Sequence, residues 1–286
     1  MKMFKTIKVK LTLVTILLLV VALGILGAIS LSKFNTETEN SVNDRLIELT
    51  EMSSKIIESK MDKAKLITKL ISGNNRIAPY VEGDFRLRDE VFKYLFMQNE
   101  NAEGIIESII LTDEKGNAII SSDNKYFRAD LSERNYLKET MKTGEVSESE
   151  VIISKVTNNP VIALCSPVKE NGKVVGTVIA SINFDSIAET AKNMKVFDDG
   201  YAYMFDLNGL TLQHPKKELE FNTNILDLGI PEMKNVLEDV KSGKDGEVFY
   251  TYNGEYKYVR LYKSKQLGIC CYSWLWWLYE WKSSSA

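Results

Sequence analysis

Residues 107–121 read Glu107-Ser-Ile-Ile-Leu-Thr-Asp-Glu-Lys-Gly-Asn-Ala-Ile-Ile-Ser121, and this stretch decides the fold. Two short runs of mostly apolar, β-branched residues flank the polar segment Asp113 to Gly116. The Asp113 side chain can accept hydrogen bonds from the backbone of a turn, and Gly116 can take a positive φ angle. The stretch therefore predicts two antiparallel strands joined by a tight turn.

The same order of elements returns further along the chain. Residues 201–215 again read as strand, Asp-x-x-Gly turn and strand, with Asp206 lying 93 residues after Asp113. A helical stretch and strands joined by Asn-Gly follow each hairpin, which indicates an internal repeat. The helices are 131–143 and 231–241, and the strands are 150–155, 160–169, 173–184, 246–252 and 255–263. Each copy predicts an antiparallel sheet carrying helices, so the fold class is α+β with two PAS-like modules.

The N-terminal region predicts a membrane anchor. No charged residue occurs from Leu11 to Ser32, and this length crosses a bilayer of about 30 Å as a helix. Four lysines precede the span, whereas the flank after it has Lys33 and two glutamates. The positive-inside rule therefore makes residues 1–10 a cytoplasmic tip, residues 11–32 a transmembrane helix, and the bulk of the chain extracellular at the cell membrane.

A long amphipathic helix follows the span, and we place it at residues 33–75. Residues 34–72 contain no Pro or Gly, and apolar residues recur every three or four positions. Such a helix is too long to be packed by one small domain. It predicts that the helix covers a domain face, pairs with a second copy in a homodimer, or does both.

Composition excludes several classes of function. The 286 residues include 36 basic and 39 acidic residues, and the four lysines of the tip leave 32 basic against 39 acidic residues outside, a net charge of −7. This charge disfavours binding to nucleic acid or to an anionic membrane surface. With one His, three Cys and no nucleophile or phosphate-loop motif, we expect no enzyme, no cofactor and no metal site. A membrane-anchored enzyme using paired carboxylates stays an alternative.

This arrangement resembles the double Cache sensor domain of bacterial transmembrane receptors, over about residues 1–268. The segments that carry the resemblance are Asp130–Leu137, Pro160–Pro167, Asn171-Gly172, Val175–Phe184, Gly200–Gly209 and His214-Pro215. The resemblance implies a membrane-distal module at residues 76–190 that binds a small solute, and a membrane-proximal module at residues 191–272. It implies the sensing region of a methyl-accepting chemotaxis receptor. The alternatives are the sensor of a histidine kinase or nucleotide cyclase and a non-signalling structural ectodomain.

The C-terminal end departs from this pattern. Members of the family usually continue through a second membrane helix, a HAMP linker and a signalling domain, so we expect a truncated receptor. All four Trp lie between Gly268 and Trp281, and we treat residues 273–286 as an atypical aromatic tail that replaces the last strand of the second module. A final buried strand with an interfacial tail, a sequence read out of frame and an artificial extension are the alternatives.

The candidate ligand-binding residues are Arg134, Tyr136, Ser181 and Asn183. A guanidinium such as that of Arg134 can hold a carboxylate through two parallel hydrogen bonds. The Tyr136 ring could cover a ligand, and Ser181 and Asn183 share one face of a strand. The alternative is that Arg134 pairs with a nearby surface acid and Tyr136 belongs to the core.

The family's amino-acid-binding pattern of Tyr, Arg, Trp, Tyr and Asp maps onto Ala129, Arg134, Tyr136, Leu137 and Ser181. Only the Arg is kept, and Ser181 stands where the Asp would pair with an ammonium group. The resemblance therefore favours a carboxylate without an amine, or an uncharged ring, over an α-amino acid. Cys165 is predicted to be a core residue.

Overall fold

A computed structural model describes residues 7–125, 128–194, 200–242, 244, 246–252, 255–264 and 267–274. The helices are α1 (Ile7–Ser72), α2 (Ile77–Val81), α3 (Arg88–Glu100), α4 (Asn135–Thr143), α5 (Phe184–Lys192) and α6 (Glu232–Lys241), with 3₁₀ turns at Phe85–Leu87, Lys217–Leu219 and Ile225–Leu228. The strands are β1 (Ile106–Thr112), β2 (Ala118–Ser121), β3 (Ser147–Ile153), β4 (Pro160–Glu170), β5 (Lys173–Asn183), β6 (Tyr201–Asp206), β7 (Thr211–Gln213), β8 (Gly246–Tyr252), β9 (Glu255–Ser264) and β10 (Leu267–Trp274).

The ten strands form two antiparallel sheets of five. Their orders are β2-β1-β5-β4-β3 in the first module and β7-β6-β10-β9-β8 in the second. The two orders become identical when five is subtracted from each strand number of the second sheet. The predicted internal repeat and the predicted α+β class with two PAS-like modules are therefore confirmed.

The Asp-x-x-Gly turns have the same geometry in both modules. The Asp113 Oδ1 atom accepts hydrogen bonds from the backbone N–H groups of Lys115 and Asn117, at 2.9 and 2.8 Å. The Asp206 Oδ1 atom accepts from the residues two and four positions on, at 2.8 and 2.9 Å. The glycines that follow, Gly116 and Gly209, have φ angles of 86° and 88°. Each carboxylate thus shapes one hairpin, as the predicted turns require.

Helix α1 contacts both sheets. It lies against β4 and β5 of the first sheet and against β9 and β10 of the second. Its buried residues Leu46, Ile57, Met61, Ala64, Ile67 and Ile71 share one apolar cluster with residues of both sheets, such as Ile109 and Met204. The predicted membrane span and the predicted outer helix are one uninterrupted helix. By length and composition, this helix can cross a membrane from Val9 onward, with a mean hydropathy of 2.8 in its most apolar window.

The structure differs from the sequence-based expectations at two places. We expected a strand through Phe184, but β5 ends at Asn183 and Phe184 begins α5, because the Asn183 side chain caps that helix. We also expected the aromatic tail to replace the last strand of the second module, and this is wrong. Strand β10 continues to Trp274 and pairs with β6 and β9. Residues 1–6, 253–254 and 275–286 lie outside the described residues.

Candidate functional site

One end of the first sheet brings together the beginnings and ends of many elements. Because neighbouring strands run antiparallel, the starts of β1 and β4 lie beside the ends of β2, β3 and β5. We call this region the sheet end. The sheet face opposite α1 carries α4, which packs through Tyr136 and Leu137 on Ile110, Cys165 and Ile179.

A row of short side chains lies next to the row formed by Ile110, Ile179 and Cys165 under α4. Ser108 of β1 pairs with Ser181 of β5, which pairs in turn with Ala163 of β4. The Ser149 Oγ atom accepts a hydrogen bond of 2.8 Å from the backbone N–H of Ala163. Since side chains alternate along a strand, Ser108 and Ser181 lie on the same face as Ile110 and Ile179. We call this row of Ser and Ala the floor; its side chains are smaller than those of the neighbouring row of isoleucines.

Asp123 brings a carboxylate to this floor. Its Oδ1 atom accepts hydrogen bonds from the hydroxyls of Ser108 and Ser121, at 3.1 and 2.9 Å, and from the backbone N–H of Lys125, at 3.1 Å. Its Oδ2 atom is buried without a hydrogen-bond partner, although the Lys125 Nζ atom lies 3.9 Å away. The carboxylate accepts a hydrogen bond from Ser108, whose strand partner is Ser181, one of the predicted ligand-binding residues.

Arg134 lies at the same sheet end. It precedes α4 in an extended backbone conformation, and its Nη2 atom donates a long hydrogen bond of 3.4 Å to the Ile153 carbonyl at the end of β3. Its Nε atom is buried and has no partner. The alternative, that Arg134 pairs with a nearby surface acid, has no counterpart among the described ion pairs, and the adjacent Glu133 pairs with Lys138. The guanidinium therefore keeps donor capacity that a carboxylate could use.

Glu107 completes the charged groups of the region. It lies at the irregularity of β1 beside β5, where its Oε1 atom accepts a 2.8 Å hydrogen bond from Asn159 and its Oε2 atom is buried without a partner. In the residues that the structure describes, the ionisable side chains with a buried atom lacking a hydrogen-bond partner are Glu107, Asp123 and Arg134. All three belong to the sheet end. Buried polar groups are normally hydrogen-bonded, so this concentration indicates a place for a polar ligand.

The other predicted residues have structural partners. Tyr136 is 7% exposed within the apolar cluster under α4. The Asn183 Oδ1 atom accepts a 3.0 Å hydrogen bond from the backbone N–H of Asp185 as the cap of α5. The structure thus brings Arg134 and Ser181 to the sheet end, engages Asn183 at a helix start, and adds Asp123 and Glu107, which sequence reasoning missed. No three described His, Cys, Asp or Glu side chains come together as metal ligands would.

Cys165 lies in the same core, fully buried, and burial raises the pKa of its thiol to about 11. Since the thiolate is the reactive form, we expect no labelling of Cys165 by a thiol reagent at pH 8 in a Cys270→Ser, Cys271→Ser chain. In 6 M guanidinium, one thiol per chain should react, as mass spectrometry would show. Rapid labelling of the folded chain would contradict this burial.

Comparison with known proteins identifies the family to which this fold belongs. Residues 34–278 match the family model described as the Cache domain. The methyl-accepting chemotaxis protein PscA of Pseudomonas syringae pv. tomato is 20% identical over 245 residues, which are 84% of this chain and 37% of that protein. The chain thus spans little more than a third of the length of this relative.

Solved structures share the fold. The ligand-binding domain of the Campylobacter jejuni chemoreceptor Tlp3, in complex with 4-methylisoleucine, superposes with a TM-score of 0.67 at 15% identity, covering 82% of this chain and 91% of that domain. The ligand-binding domain of the Pseudomonas fluorescens chemoreceptor CtaA, in complex with L-serine, gives a TM-score of 0.61 at 16% identity, covering 82% and 98%. The architecture described above is that of these domains.

Proposed function

Because this chain belongs to the Cache domain family, we propose that it is the extracytoplasmic ligand-sensing region of a transmembrane chemoreceptor. The observation that carries the proposal is the sheet end, where Arg134 and Asp123 each present a buried polar atom without a hydrogen-bond partner. The chemotaxis protein among its relatives favours chemoreception over kinase or cyclase output. In this proposal the first module is membrane-distal and holds the ligand.

The charges of the sheet end point to a ligand with two charged groups. Arg134 supplies a cation suited to a carboxylate. Ser108 of β1 and Ser181 of β5 lie on the floor of the same sheet end. Asp123 supplies an anion suited to an ammonium group, from the turn after β2 rather than from the β5 position occupied by Ser181. The ligands of Tlp3 and CtaA, 4-methylisoleucine and L-serine, carry both groups. We therefore propose a small amino acid, which the sequence alone disfavoured because Ser181 replaces an Asp.

A ligand screen tests the function. The full chain in lipid nanodiscs is heated with each of the common L-amino acids, their deaminated 2-hydroxy acids and their decarboxylated amines. A ligand at 100 times its Kd stabilises the folded state by about 2.7 kcal/mol, which is a measurable rise in Tm. We expect a rise with at least one amino acid. If no compound of the panel raises the Tm, the sensor proposal is contradicted.

Exchange of Asp123 for Asn tests the ammonium site. The amide keeps an oxygen for the Ser108 and Ser121 hydroxyls but loses the charge, so we expect the amino acid that binds best to lose about tenfold or more in affinity. The matching 2-hydroxy acid should bind the variant as well as it binds the original chain. Asp227→Asn, an exposed exchange in the second module, is the matched control and should leave both affinities unchanged. Equal losses for the amino acid and the hydroxy acid in calorimetry would exclude this role for Asp123.

Signalling would use α1. We propose that α1 crosses the membrane with the lysine-rich tip in the cytoplasm, and that ligand binding at the sheet end biases one of two packings of the sheet on this helix. Its buried residues, including Ile57 and Ile67, tie the helix directly to the first sheet. A ligand that binds one packing more tightly therefore shifts the position of the helix in the membrane.

A second stripe on α1 supports the proposed homodimer. Met52, Ile56, Leu66 and Leu70 are 53, 46, 59 and 55% exposed. Together with Ser59 and Lys63, they follow the alternating spacing of four and three residues that is typical of a coiled-coil seam. The stripe is separate from the buried face that packs on the sheet. Pairing with the same stripe of a second chain would cover it.

The dimer proposal predicts a change in mass. Leu66→Glu combined with Leu70→Glu should convert a dimer to a monomer in sedimentation of the detergent-solubilised chain, because four carboxylates would enter the seam. Lys69→Glu, an exposed change on the same turn, should leave the dimer intact. The proposed dimer interface is contradicted if the original chain is a monomer at micromolar concentration. It is also contradicted if the dimer survives the double exchange.

A further inference from the structure

A cavity lies at the outer edge of the first sheet, away from the sheet end. It measures about 470 Å³, within the range of about 300–1,000 Å³ of small-molecule sites. Its walls come from α2, the 3₁₀ turn after it, the start of α3 and the edge strand β2. Its lining residues Asn117 to Ile119 lie where β2 begins, whereas the sheet end lies where β2 ends, at Ser121. The two sites are therefore separate.

The apolar wall of this cavity is built from Tyr80, Phe85 and Ile119. The rings of Tyr80 and Phe85 meet edge to face, with centroids 5.8 Å apart and an interplanar angle of 85°. Phe85 is 63% exposed, which is unusual for a large apolar side chain that already has an aromatic partner. Its open face and Ile119 offer apolar surface to the body of a ligand.

Two arginines line the same cavity. Arg88 opens α3, and its Nη1 atom is 3.8 Å from an oxygen of Asp89, a loose contact to a carboxylate that is 98% exposed. Burial raises the pKa of Tyr80, and the nearby positive charge of Arg88 opposes that rise. The neighbouring Arg86 has a different position, since its guanidinium makes two hydrogen bonds of 2.8 and 2.9 Å to Asp84.

The backbone places Arg128 beside the edge strand. Its N–H donates to the Ala118 carbonyl at 2.8 Å, and the Ala118 N–H donates to the Ala129 carbonyl at 2.9 Å, so this segment adds to the free edge of β2. Arg128 has a φ angle of 62°, a left-handed conformation that non-glycine residues adopt at some cost in free energy. Among the described residues that line the cavity, two are cationic and none is acidic.

We propose that this cavity is a second ligand site, for a monocarboxylate with an aromatic or branched apolar body and no amine. The two guanidinium groups would bind the carboxylate, and the Tyr80, Phe85 and Ile119 wall would bind the body. An ammonium group would meet Arg88 and Arg128 instead of an acid, which excludes amino acids from the cavity. The two sites of the first module thus have opposite requirements for an amine.

Fluorine NMR of fluorophenylacetate tests this site on the full chain in nanodiscs, with empty nanodiscs as the blank. An Arg134→Ala background removes binding at the sheet end, so the outcome does not depend on the sensor proposal. We expect saturable binding at least about tenfold tighter than that of the isosteric, uncharged fluorophenylacetamide. Adding Arg88→Gln or Arg128→Gln should weaken it about tenfold, whereas adding Arg86→Gln should not change it.

Three results would overturn the proposal. They are no saturable binding of the carboxylate, equal binding of the carboxylate and the amide, and an affinity that survives both Arg88→Gln and Arg128→Gln. Circular dichroism of each variant shows whether the fold is kept. All three arginine exchanges replace side chains that are at least partly exposed, so each variant should keep the Tm of its background.

Discussion

Arg134→Ala is expected to reduce the affinity for the amino acid that binds best by about 100-fold, or about 3 kcal/mol. The exchange removes the guanidinium that would hold the ligand carboxylate and leaves that carboxylate without this charged partner. The guanidinium gives up only one long hydrogen bond, to the Ile153 carbonyl, so the fold should lose little. Calorimetric titration of the full chain in nanodiscs gives the affinity, and the Tm reports on the fold.

Two further variants define what Arg134 contributes. Arg134→Lys keeps the charge but loses the planar fork, so we expect an affinity between those of the original chain and the Ala variant. Arg128→Ala, an exchange in the same segment, is the matched control and should leave amino-acid binding unchanged. If Arg134→Ala binds the amino acid as tightly as the original chain does, the ligand carboxylate is not held by this guanidinium.

Gly176→Ala is expected to destabilise the first module by about 3 kcal/mol, the upper end of the usual cost of overpacking. A Cβ atom at this position of β5 would lie 2.2 Å from the carbonyl oxygen of Thr112 and 2.7 Å from a methyl carbon of Val81. The obstacle is backbone, which cannot move aside without breaking the pairing of β1 with β5. Thermal unfolding followed by circular dichroism should show the loss as a lower Tm.

Gly172→Ala provides the comparison in the same strand pair. Nothing lies within 4 Å of a Cβ atom at Gly172, and its φ angle of 81° is the main obstacle to a side chain. We expect a cost of about 1 kcal/mol, from the left-handed conformation alone. A Gly176→Ala chain that melts with or above the Gly172→Ala chain would show that β1 and β5 can separate at little cost.

The repeat could be predicted because its signals are local. Asp-x-x-Gly and Asn-Gly determine turns within a few residues, and the order of turns along the chain then implies the order of strands. The membrane span and the amphipathic pattern of α1 are equally local. The bounds of β4 and α6, for example, followed from these patterns to within one residue.

The errors arose where two patterns compete. Val175 to Phe184 reads as one apolar strand, but Asn183 is also a helix cap, and Phe184, Ile187, Ala188 and Ala191 recur at helical spacing. The cap decides the end of the strand. In the second module, the concentration of Trp suggested an atypical tail, whereas the same residues continue the strand pairing through Trp274.

Half of the candidate site was predictable, and part of the rest was within reach. The turn at Asp113 to Gly116 pairs Ile110 with Ser121, and the same register extended by two residues sets Ser108 opposite Asp123. Asp123 could therefore have been placed next to Ser181 from the hairpin and the strand order. The burial of its Oδ2 atom without a hydrogen-bond partner could not have been predicted, because burial depends on the packing of distant segments.

The stiffness of α1 is unevenly distributed. Glycines occur in this helix at Gly24 and Gly27 only, both within the apolar span, and the helix contains no Pro. Sharp bends in helices occur mostly at such residues. The 45 residues from Ala28 to Ser72 thus form a helical segment about 68 Å long, without Pro or Gly, that contacts both modules. Bends at glycine are therefore confined to the apolar span, and the segment that contacts the two modules lacks such a site.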